Sequence, residues 1–129
     1  MNSIEECAKE LKKIVPNDWK SVVFSLFVRE CEVNSKKAIS KEFQCKCTSK
    51  STDKIIDLVK FYEANFEVED ILFSILNFWY KEYKKSSTEN FIIFKLDSSG
   101  NYEIKRFPKV PNDIDNKIII NTVEMSLKK

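Results

Sequence analysis

The sequence predicts an α+β fold with an antiparallel sheet, on three observations. One long aromatic stretch, Phe66 to Tyr83, repeats Ile71, Leu72, Ile75, Leu76, Trp79 and Tyr83 at the spacing of one helix face. Two pairs of β-rich segments flank it, before and after. The segments also come in blocks, strand beside strand, and do not alternate with helices as a parallel sheet requires. The predicted order is α-β-β-α-(α)-β-β-α in one domain spanning residues 1–129, with a sheet of about four strands packed on the aromatic helix.

Each element has a local reason. Residues 2–15 carry Ile4, Cys7, Leu11, Ile14 and Val15 on one side of a helix, with Ser3 as cap and Glu6 three residues on. Pro16 ends it. Residues 19–33 are β-branched and aromatic, with Val22, Phe24, Leu26 and Val28 on one parity and Val23 and Phe27 on the other. That pattern fits a central strand covered on both faces, whose charged later half (Arg29, Glu30, Glu32) reaches solvent. After a polar turn, residues 38–48 alternate. Phe43, Cys45 and Cys47 face one way, Glu42, Gln44 and Lys46 the other, and Lys41 and Lys46 suit an exposed edge.

Residues 53–63 read as a short helix capped by Ser51 or Thr52, with a strand from Ile55 to Tyr62 as the alternative. Asn65 caps the long helix, whose acidic first turn and KEYKK end both suit its dipole. Residues 91–96 and 102–107 flank a turn holding Gly100, the only glycine, and form a second hairpin. Pro108 and Pro111 stop it, and Asn112 caps a last helix that buries Ile114, Ile118 and Ile119.

Composition excludes several classes of chemistry. A single glycine leaves no phosphate-binding loop, since the known kinds need several. The absence of histidine removes the usual general base and the usual metal ligand. No secretory leader and no apolar run of membrane-spanning length is present, so a cytoplasmic protein with reduced thiols is expected. A net charge of +2, with only Arg29 and Arg106 as arginines, argues against nucleic acid as the partner. No catalytic residue, cofactor or metal ligand set is expected.

Two constellations of side chains offer chemistry or binding. Cys45 and Cys47 share a strand face and, with Cys31 and Cys7, offer sulfur for a metal-binding or redox module. Their spacing is not that of a zinc knuckle, and free cysteine is most often a small buried hydrophobe. Glu63, Glu67, Glu69 and Asp70 cluster at the start of the long helix. They read either as a solvated, dipole-favoured helix start or as an acidic patch that meets a basic protein.

The run Ile14-Val15-Pro16-Asn17-Asp18-Trp19 leading into a long strand, then an aromatic helix, then the hairpin FIIFKLDSSGNYEI, resembles the YezG-like family of bacterial immunity proteins. The similarity covers about residues 2–107, by pattern. It implies a non-enzymatic protein that binds a cognate toxin domain, often a nuclease, and occludes its active site. Immunity proteins of contact-dependent growth-inhibition systems share that character. The resemblance places no contact residue; Glu63, Glu67, Glu69 and Asp70 come from the charge pattern alone. The other readings are the cysteine module and an adaptor or secretion chaperone.

Overall fold

In the computed structural model, which describes residues 1–86 and 88–128, the chain folds as α+β. The elements run α1 (Ile4–Lys12), β1 (Trp19–Val33), β2 (Lys36–Ser49), β3 (Ile55–Asp57), α2 (Leu58–Phe61), α3 (Phe66–Ser86), β4 (Phe91–Asp97), β5 (Tyr102–Phe107) and α4 (Asn116–Leu127). The strands form one antiparallel sheet in the order β3-β2-β1-β4-β5. α1 and α3 cover one face and α4 the other.

The two parities of β1 explain this layering. Val22, Phe24, Leu26 and Val28 join Cys7, Leu11, Leu72, Ile75, Trp79 and Phe94 in the larger core, under α1 and α3. Val23 and Phe27 join Phe91, Ile93, Ile119, Val123 and Leu127 in a smaller one, under α4. Side chains alternate along a strand, so a central strand apolar on both parities must be covered twice. Beyond Val28 the pattern turns polar, and residues 30–37 are exposed. The β1–β2 hairpin therefore extends past the body of the sheet, to a two-residue turn at Asn34 and Ser35 with φ of 52° and 64°.

Local signals account for most boundaries. The Ser3 hydroxyl accepts from Glu6 N, and the Glu6 carboxylate reaches back to Asn2 N. Asn65 Oδ1 accepts from Val68 N at the start of α3. In the β4–β5 turn, Asp97 Oδ1 accepts from Ser99 N and Asn101 N, and Gly100 has φ of 92°. A side chain at that φ would be strained, so glycine fits the turn for conformational reasons.

Three expectations need correction. Residues 53–63 are neither one helix nor one strand. Ile55–Asp57 adds a fifth strand opposite Lys46–Thr48, and Asp57, not Ser51 or Thr52, caps the single turn α2. The hydroxyls of Ser49 and Ser51 bond each other, and Ser51 also donates to Asp18. α4 starts three residues later than expected, with Asp115 in place of Asn112 as its cap. Asn112 instead ties the preceding loop to β1 by accepting from Glu30 N, and Ile118 is 54% exposed. Lys46 is not an exposed edge residue. It is buried under α4, where its ammonium lies 2.8 Å from the Glu124 carboxylate.

Candidate functional site

The four acidic residues lie where α2 turns into α3, but they do not form one cluster. Glu67 and Asp70 are exposed and three residues apart, hence neighbours on the outer face of α3. Glu69 is half-buried, turned about 200° from Glu67 around the axis. Glu63 is exposed in the preceding turn. None of the four forms an ion pair among the described residues. Asp70 also borders a shallow cavity of about 270 Å³ with Glu6 and Glu10 of α1.

Aromatic residues stand beside these carboxylates, and sequence reasoning did not single them out. Phe66 is 78% exposed, Phe61 63% and Phe73 51%. Phe66, Phe73 and Tyr80 are seven residues apart and run along one flank of α3. That flank faces β2: the Phe73 ring packs edge-on to Phe43, with centroids 6.3 Å apart, and the Lys41 ammonium sits 3.9 Å from the Tyr80 ring centroid. The signal was present in phase, since these three fall outside the Leu72–Leu76–Trp79 stripe. Exposed phenylalanines at this density are unusual on a surface without a partner.

The cysteines divide. Cys7, Cys45 and Cys47 are fully buried in the larger core. Burial pushes the Cys7 thiol up to about 12, partly opposed by the Trp79 indole beside it. Burial, with the Asp18 charge adding to it, takes Cys47 to about 11. Cys45 is likewise held well above the ordinary thiol range, chiefly by burial. Among the described residues the buried Trp79 indole N–H has no hydrogen-bond partner at normal geometry, and the Cys7 sulfur, a weak acceptor, stands beside it. Cys31 is exposed near the hairpin tip, opposite Ala38, and so points to the other face from Cys45 and Cys47. The fold therefore does not bring Cys31, Cys45 and Cys47 together, and among the described residues no group of three potential metal ligands converges.

A concavity of about 550 Å³ lies against β2 between α2 and α4. Its carboxylates and its buried lysine are already engaged. Glu42 takes the Arg29 guanidinium at 2.8 Å, Asp57 accepts from Val59 N and Lys60 N, and Lys46 is held by Glu124. Arg29 is a structural hub, donating also to Asn112 O, to Ile114 O at 3.1 Å and to Asn116 Oδ1 at 2.7 Å. It fastens the loop before α4 to β1. Besides these engaged groups the concavity presents apolar side chains, the unpartnered Gln44 Oε1 and Lys60, which forms no ion pair among the described residues.

No model of a known protein family matches the chain, and no curated protein matches it at a significant level. No described helix is long and apolar enough to cross a membrane.

Proposed function

We propose that this chain is an immunity protein that binds a toxin domain and neutralises it by covering the toxin's active site. The observation that carries the reading is the outer surface at the α2–α3 junction. Exposed Phe61 and Phe66 stand there among the unpaired carboxylates of Glu63, Glu67 and Asp70. Aromatic anchors ringed by charge are a common composition of a binding hot spot, and the sign suits a basic partner such as a nuclease with a positive substrate groove. Glu69, half-buried on the other flank, contributes at the rim.

Co-expression with the toxin domain encoded directly upstream tests this. Growth protection and a stable complex are expected, and Glu67→Lys with Asp70→Lys should weaken both while the protein stays folded. Toxicity unrelieved by the wild-type chain, with no complex, overturns the reading. An adaptor or secretion chaperone that carries an extended segment is the second reading, favoured by the open edge of β2.

A further inference from the structure

The position beside β2 in the sheet is only partly filled. β3 pairs with Lys46, Cys47 and Thr48 and then leaves into α2. From Lys37 to Cys45 no strand of the described residues lies on the outer side of β2. The backbone groups on that side can be identified. On β1, Val28 N donates to Asn90 O and Glu30 N to Asn112 Oδ1, so these residues point away from β2. Their partners across the ladder are Lys41 and Ile39. In an antiparallel pair, two residues that turn away from each other do so together, so Ile39 and Lys41, and by alternation Lys37 and Phe43, aim N–H and C=O into the vacancy.

The vacancy has two walls. On one side are Phe73 and Tyr80 of α3, against Phe43 and Lys41. On the other is the 550 Å³ concavity, with Ile119 and Ile120 of α4, Val59 of α2 and the buried, unpartnered Gln44 Oε1. An added strand would send alternate side chains to each wall. The free charges along this track are cationic. Lys36, Lys37 and Lys60 form no ion pair among the described residues, whereas Glu42, Asp57 and Glu124 are engaged.

We infer that the open stretch of β2 is a binding site for an extended acidic segment of a partner protein, which completes the strand position that β3 begins. Backbone pairing supplies affinity, the two walls select apolar residues at alternate positions, and the lysines select carboxylates between them. A second copy of this chain fits less well, because an antiparallel β2–β2 pair centred on Lys41 sets lysine against lysine and one centred on Glu42 sets glutamate against glutamate. The inference is separate from the immunity reading, since it rests on the unpaired backbone of β2 and on the opposite sign of charge, while sharing with it the α3 flank that carries Phe66, Phe73 and Tyr80.

The test uses the full chain and a labelled, end-capped peptide of alternating valine and glutamate, about nine residues long. The same peptide with lysine for glutamate is the control. Anisotropy should show the glutamate peptide binding at least about ten-fold more tightly at low salt, with exchange slowed at the amides of Ile39, Lys41 and Phe43. Lys41→Pro removes one outward N–H and leaves the β1 ladder intact, so it should abolish most of this binding without changing the melting temperature. Should that variant fail to fold, the triple variant Lys36→Glu, Lys37→Glu, Lys41→Glu should reverse the preference between the peptides. Equal or absent binding of the two peptides, or protection elsewhere, overturns the inference. So does a concentration-dependent dimer that protects the same amides without peptide, which would mean that a second copy fills the site.

Discussion

The two faces of the sheet are built differently. The face under α1 and α3 is apolar throughout, with Trp79 packed against Phe94 at 5.4 Å and Phe78 at 5.0 Å, and it contains the three buried thiols. The face under α4 has a smaller apolar cluster, and its margin is held by ions: Lys46 with Glu124, and Arg29 with Glu42 and the loop before α4. Apolar packing is non-directional and stabilises in proportion to area. Buried ion pairs contribute little net stability, but each is costly to break from one side. The larger face therefore supplies most of the stability, and the smaller one fixes where α4 and its loop sit.

The sharpest way to break this contrast is to truncate each face in turn. Trp79→Ala should cost about 3–5 kcal/mol and leave little folded protein at 37 °C, read by urea denaturation. Glu124→Leu, which strands the buried Lys46 ammonium, should cost about 2–3 kcal/mol, less than a fully buried pair because Glu124 is a third exposed. The double variant Lys46→Met with Glu124→Leu should recover most of that loss. A double variant as unstable as the single one would contradict the assignment of the pair as a positional device.

The thiols give a second separation of the faces. With a disulfide-exchange reagent near pH 8, only Cys31 should react quickly, and three more thiols should appear on unfolding. Their stability linkage has a definite sign. Between about 9 and 12 the unfolded chain has released the Cys7 proton while the folded chain retains it, so folding binds the extra proton and stability falls as pH rises through that window. Below pH 9 this contribution is fully present. The slope is at most about 1.4 kcal/mol per pH unit per thiol, and Cys7→Ala should flatten it.

Smaller effects refine the picture at the margins. Ser35→Gly should stabilise by about 1 kcal/mol, because Ser35 occupies a left-handed conformation in the hairpin turn. Phe66→Ser, by contrast, should leave the unfolding free energy within about 0.5 kcal/mol of wild type, since its ring is 78% exposed. A large loss there would show that the ring is packed and not free for a partner.

The sequence was most informative where the signal is local. The Ser3 and Asn65 caps, the Gly100 turn and the double parity of β1 are each decided within a few residues, and each is found where expected. The rest depends on contacts remote in sequence. Ile55–Asp57 is a strand only because Lys46–Thr48 lies beside it. Asn112 is drawn to Glu30 N, 82 residues away, instead of capping a helix. Lys46 reads as an edge lysine until Glu124, 78 residues on, is seen above it. Of the candidate site, Glu63, Glu67 and Asp70 were legible as exposed acids. The exposed rings beside them were not, because an aromatic residue on an amphipathic helix is by default assigned to the core.

The proposed action by surface occlusion is tested most directly by titrating a toxin domain encoded upstream with this chain, scored by residual toxin activity. The account predicts a linear fall to zero at one equivalent, with activity returning when the complex is dissociated. Complete inactivation by a small fraction of an equivalent, irreversible on separation, would show turnover and contradict it.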